Sequence, residues 1–237
     1  MNTTAPLTEE ALVAELMSIG EELYHHKHPF HIRMHEGSLQ ATEIRCWIKN
    51  RFYYQSILPI KDAIVLSKLT HSIDRRLWVK RILDQDGEQE GSGGIEAWLL
   101  LGEGAGIEPD QLLDLESVAP SVKQAVDSYV DFCHQRSWLP AVASSLTELF
   151  APKLIAYRLD VFKKHYGWIK PAALEYFFNR LHQAPRDCNH ALTLVRSNAV
   201  SCEQQQQVIE ALRFKCGLLW RMLDGIESQC KAEVLLK

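Results

Sequence analysis

The sequence lacks any run of about 20 apolar residues, the length a helix needs to cross a bilayer. Its first residues, MNTTAPLTEE, carry neither the basic nor the apolar segment of a secretory leader, so the expected location is the cytoplasm. Its six cysteines, Cys46, Cys133, Cys188, Cys202, Cys216 and Cys230, form no C-x-x-C pair. That excludes a zinc knuckle or a thioredoxin-type motif and leaves reduced, mostly packed thiols. There is no basic run, and the formal charge is −4. Nucleic acid is therefore not an expected partner, because phosphate binding needs clustered Lys and Arg to displace counterions. A small anion stays compatible if a few cations converge. Strand signals are also scarce: no useful period-2 run is bounded by an Asn-Gly or Asp-Gly hairpin turn.

What remains is helical periodicity, in 237 residues of which 46% are apolar, enough for one substantial core. The expected fold is all-α, a compact single-domain helical bundle over 1–237, with 1–7 as a disordered N-terminus. Helices are expected over 8–26, 42–70, 72–85, 94–103, 119–135, 140–164, 171–198 and 202–232. The last is the clearest, since Ser201 and Gln204 write a capping box before Val208, Leu212, Leu219, Met222 and Ile226. Pro171 suits a first turn, whereas Pro59, Pro152 and Pro185 fall inside helical patterns and should kink or interrupt them. The stretch GEQEGSGG (87–94) reads as a mobile surface loop. GEGAG (102–106) looks like a dinucleotide loop but follows a helix rather than a strand, so it reads as a helix end.

Several polar residues fall where apolar ones belong. Lys215 shares the seam of Leu212 and Leu219, so its ammonium either meets a partner or ligand or snorkels to water. Glu148, Ile155, Arg158 and Phe162 share one expected helical face, which suggests either a buried ion pair or a polar patch in a pocket. Tyr176, Arg180, Gln183, Asp187 and His190 form a polar stripe that reads as a solvated side or a site wall. In RCWIKNRFYYQSILPIKD (45–62), aromatics flank Arg51, Gln55, Lys61 and Asp62, with Arg51 and Gln55 four apart on one face. His25, His26, His28, His31 and His35 crowd one stretch, yet their spacing is poor for metal and fits surface histidines near a helix end.

These blocks resemble the pyrroloquinoline-quinone synthase family along nearly the whole chain. The resemblance rests on NRFYYQ with PIKD (50–62), RILDxDG (81–87), GGIEAW (93–98), SSLTELFAP (144–152), YR (157–158), YFxxRLxQAxRDxxH (176–190) and FKxxxLWxMLD (214–224). It implies a haem-oxygenase-like, thiaminase-like bundle, a homodimer, and no bound metal or organic cofactor. It also implies the reaction: ring closure and eight-electron oxidation of a bicyclic quinone precursor by dioxygen, the co-substrate, giving pyrroloquinoline quinone and hydrogen peroxide. The pocket it implies includes Tyr24, His25, Arg51, Gln55, Lys61, Arg81, Tyr129, Glu148, Arg158, Tyr176, Arg180 and Lys215. In that pocket the cations would hold substrate carboxylates. Glu148 or His25 would move protons, and Tyr176 and Arg180 would attend reduced oxygen.

Two positions depart from the family pattern. Gln85 stands where the family motif has histidine, and Ile155 replaces a second pocket histidine. An amide cannot titrate near neutral pH, so binding is expected to survive better than turnover. Two rivals follow: a di-iron oxidase of the same fold using Glu148, Asp187 and His190, and a binding protein that kept the pocket and lost the reaction. A thiaminase-like hydrolase would need a pocket cysteine, and none falls at the matched positions.

Overall fold

The structure, a computed structural model, describes residues 5–235, and among these there is no β-strand. The first helix, α1 (Glu9–Leu23), starts where Thr8 accepts a hydrogen bond from the Ala11 amide at 3.2 Å, with Glu9 and Glu10 complementing the exposed amides. Of the residues expected to be disordered, 1–4 lie outside the described part. Leu7 is instead tied down, its amide donating to Gln205 Oε1 (2.8 Å) and its carbonyl accepting from Gln205 Nε2 (2.9 Å).

A tight turn, His25–Lys27, leads into the short α2 (Pro29–His35), which periodicity over seven residues could not reveal. Then come α3 (Ala41–Lys68), α4 (Ser72–Asp86), α5 (Gly94–Gly104), the single turn α6 (Pro109–Leu113) and α7 (Pro120–Gln135). Helix α5 ends within GEGAG, and Gly106 takes φ +75°, so that run is a helix end as read. Residues 87–93 are irregular, with Gly87, Gly91 and Gly93 all at positive φ.

The segment expected as one helix over 140–164 is three pieces: α8 (Trp138–Ala143), a 3-10 stretch (Ser144–Leu149) and α9 (Ala151–His165). Pro152 explains the break, since it fits the first turn of α9 but would have cost a hydrogen bond inside a longer helix. Pro59 and Pro185 do not interrupt their helices; α3 and α10 (Glu175–Asn198) run through them. The cost of a mid-helix proline, about 3 kcal/mol, is offset because α3 packs against α4, α5, α7 and α11, and α10 against α4, α5, α8 and α9. The final helix, α11 (Cys202–Leu235), opens with the expected box: Ser201 Oγ accepts from the Gln204 amide at 3.2 Å, and Gln204 Oε1 from the Ser201 amide at 3.0 Å.

One core joins these helices. Trp47, Trp98, Phe162 and Phe177 interlock at its centre, with ring centroids 5.5 to 6.2 Å apart. The Trp98 indole donates to the Ile48 carbonyl (3.0 Å) and the Trp78 indole to the Asp62 carbonyl (3.2 Å), which fixes α5 and α4 against α3. Cys46, Cys133, Cys188, Cys216 and Cys230 are buried as thiols. Among the described residues no helix is long and apolar enough to cross a membrane.

Candidate active site

Helices α3, α4, α5, α7, α9, α10 and α11, with Tyr24, His25 and the Ser144–Leu149 stretch, surround a hollow of about 120 Å³. Every residue the family resemblance carried over lines it, except Gln55. Gln55 lies just behind the wall and accepts from Arg51 Nη1 at 3.3 Å, as their four-residue spacing predicts. Gln85 and Ile155 also face the hollow. Trp98, Ser145 and Thr147 join them; residue-by-residue reading missed these, although they sit inside the GGIEAW and SSLTELF blocks.

One wall is an ion-pair network. Arg81 Nη1 donates to Glu148 Oε2 at 2.7 Å and Arg180 Nη2 to Glu148 Oε1 at 2.9 Å, so both carboxylate oxygens are gripped. Burial alone would raise the Glu148 carboxyl, but Arg81, Arg180 and Lys61 outweigh it and hold it below the usual range. Arg81 also donates to the Asp187 carbonyl (2.6 Å), and Arg180 lies 3.5 Å from the Asp187 carboxylate. Of the stripe, Tyr176, Arg180 and Asp187 are thus buried wall, while Gln183 and His190 are half-buried and do not line the hollow. Glu148 does not pair with Arg158: the broken helix puts them on different elements, and the expected shared face does not exist.

The hollow also carries cations without counter-charges. Lys61 bonds Asp62 at 2.5 Å, but Arg51, Arg158 and Lys215 have no carboxylate partner among the described residues. Arg51 lies 3.8 Å from the Tyr54 ring centre, and Lys215, 1% exposed, donates to the Tyr54 hydroxyl at 2.7 Å. Lys215 therefore does not snorkel. Burial, then Lys61 and Arg51, push its pKa well below the usual value, and burial pulls Arg158 down to about 10.

The expectation of surface histidines is wrong for most of the cluster: His25, His28, His31 and His35 are buried, because α2 folds under α9 and α11. His25 lines the hollow, and burial followed by Arg158 keeps it neutral. No three His, Cys, Asp or Glu side chains converge as a metal site among the described residues. Glu148 and Asp187 face arginines, and His190 lies 3.7 Å from Asp74 instead. No cysteine lines the hollow.

Residues 13–225 match the TENA/THI-4/PQQC family. The chain belongs to that family. It is 44% identical to the pyrroloquinoline-quinone synthase of Gluconobacter oxydans over 93% of this chain and 92% of that protein. It is 46% identical to the pyrroloquinoline-quinone synthase of Pseudomonas entomophila, over 95% and 90% respectively. Among solved structures, a domain of unknown function with a heme oxygenase-like fold from Shewanella denitrificans aligns with a TM-score of 0.73 at 11% identity, covering 94% of this chain and 91% of that one. A TenA homolog from Pseudomonas syringae aligns with a TM-score of 0.71 at 12% identity, covering 96% and 99%. The fold of this family member is thus heme oxygenase-like.

Proposed function

We propose that this protein is an oxidase of the pyrroloquinoline-quinone synthase type, an enzyme of pyrroloquinoline-quinone biosynthesis. It takes a bicyclic, carboxylate-rich quinone precursor, closes its last ring and passes eight electrons to dioxygen, giving pyrroloquinoline quinone and hydrogen peroxide. In this reading no metal or organic cofactor is required, the substrate supplies the electrons, and the working form is a homodimer.

One observation carries the reading. Six cations and three carboxylates line the hollow, and three of the cations have no carboxylate of their own. A buried positive surplus is costly in an empty pocket and is relieved by a polycarboxylate. Arg51 and Arg158 offer planar forks for carboxylates, and an anion beside Lys215 would raise its lowered pKa back toward the usual value. The ligand thereby completes the electrostatics of the fold.

Proton removal falls to His25 rather than Glu148. His25 is neutral, faces the hollow and keeps Nδ1 without a partner, whereas Glu148 is ionised and gripped by two arginines. Tyr176, edge-on to Trp98 with centroids 4.9 Å apart, and Arg180 stand together where negative charge on reduced oxygen would be stabilised.

A second reading, ligand binding with the reaction lost, is favoured by Gln85 and Ile155, which present no titrating group to the hollow. One experiment separates the two. The precursor is bound anaerobically, oxygen is admitted, and spectra and oxygen uptake are followed. Oxygen uptake with growth of the quinone absorption supports the oxidase, spectral binding without uptake supports the binding protein, and no binding rejects both.

A further inference from the structure

Arg158 is held in an unusual way for a buried guanidinium. Its Nη2 donates at 3.3 Å to Nε2 of His31, a side chain 3% exposed on α2. The other ring nitrogen of His31, Nδ1, lies 3.1 Å from the His25 carbonyl oxygen. A carbonyl only accepts and a guanidinium only donates, so these two contacts fix one state of the ring: the proton sits on Nδ1 and Nε2 offers its lone pair. A protonated ring would put an N–H against the guanidinium. Burial, Arg158, and the neighbouring rings of His25 and His35, 4.8 and 5.8 Å away, all disfavour that state.

We propose that His31, as the neutral Nδ1–H tautomer, is the positioning residue for Arg158, fixing its guanidinium at the wall of the hollow for a ligand carboxylate. A carboxylate at this position would also anchor Arg158, but it would cancel the charge and occupy the fork that the ligand needs. A neutral acceptor fixes the direction and leaves the charge uncompensated. Trp47, 5.5 Å from the guanidinium, supports it from another side without neutralising it either. The inference rests on the reading that Arg158 meets a carboxylate of the ligand.

The test measures the affinity of pyrroloquinoline quinone, by its absorption, for the wild type, His31→Leu, His31→Gln, Arg158→Met and the His31→Leu/Arg158→Met double variant. Losing a buried hydrogen bond to a charged group should weaken binding about tenfold in His31→Leu. His31→Gln, whose amide can both donate and accept, should stay within about threefold. The double variant should bind no more weakly than Arg158→Met, because His31 acts through Arg158. In the wild type, imidazole ¹⁵N shifts should show the proton on Nδ1, a measurement that stands even where His31→Leu fails to fold. Equal affinity in His31→Leu, losses that multiply in the double variant, or the proton on Nε2 would each overturn this inference alone. A wild type that fails to bind the quinone overturns the proposed function together with it.

Discussion

Lys215 places its Nζ 3.4 Å from the centre of the Tyr129 ring, so the aromatic face stands where a carboxylate would ordinarily neutralise a buried ammonium. Tyr54 closes the other side at 4.4 Å from its ring centre. Burial of an unpaired cation opposes folding, and under the proposed function a carboxylate of the ligand offsets that cost. Lys215→Met should therefore raise stability, by about 1–3 kcal/mol in urea unfolding, because an apolar chain of similar volume replaces an uncompensated charge. The same variant should bind pyrroloquinoline quinone at least about tenfold more weakly. A drop in stability would mean that the two tyrosine rings and the Tyr54 hydroxyl hold the ammonium more strongly than burial opposes it.

Gln85 lines the hollow from a tightly packed place on α4. It is 3% exposed, its Oε1 has no hydrogen-bond partner, and only the missing side chain of Gly94 leaves it space: a methyl there would fall 2.5 Å from Oε1. Gln85→His should restore a titrating group to this wall. If proton transfer there limits turnover, kcat for oxygen uptake with the precursor should rise about 100-fold or more. Quinone affinity should change less than about threefold, since the cations are untouched. An unchanged kcat would show that His25 already supplies the base.

The fold class was legible because long amphipathic helices carry a period-3.6 signal, most plainly in α11 with its capping box. Lys215 was legible for the same reason: a charge on an apolar seam is a local anomaly. The partnership of Glu148 was not. Whether Glu148 meets Arg158 or Arg81 depends on a chain break at Phe150 and Pro152 and on packing between segments 67 residues apart, and neither leaves a periodic trace. The burial of His31 and His35 was hidden likewise, since α2 is too short to show periodicity and its cover comes from α9 and α11. Fine site geometry is tertiary information.

Glu148 gives a test of the network that holds α4, α10 and the Ser144–Leu149 stretch together. Glu148→Gln keeps the shape but takes from Arg81 its salt-bridge partner and leaves Arg180 with the more distant Asp187 alone. Breaking one partner of a buried pair costs about 3–5 kcal/mol, and the expected loss in urea unfolding stability lies at that order. Glu148→Gln with Arg81→Met should recover part of the loss, because one of the stranded cations is gone. Full additivity of the two changes would show that Glu148 and Arg81 are not coupled.

The buried histidines set the response to acid. Burial comes first and Arg158 second in pushing His25, His31 and His35 below their ordinary value, His35 to about 3. Unfolded, these rings titrate near pH 6.5, so below that pH the unfolded chain binds protons that the folded one refuses. Stability should be fully present above about pH 6.5 and fall as pH drops beneath it, each ring adding up to about 1.4 kcal/mol per pH unit. Glu148, held low by its arginines, adds to the loss at lower pH, while Asp187, raised by burial, works against it. His35→Phe isolates the histidine part: His35 Nε2 is buried without a partner and the ring packs on Tyr157 at 5.1 Å, so a phenyl ring should fit. His26 and His190 are lowered as well, so urea midpoints between pH 7 and 4.5 should then fall with a slope lower by at most about a third where the rings dominate. A slope unchanged by His35→Phe would assign the acid sensitivity to the carboxylates instead.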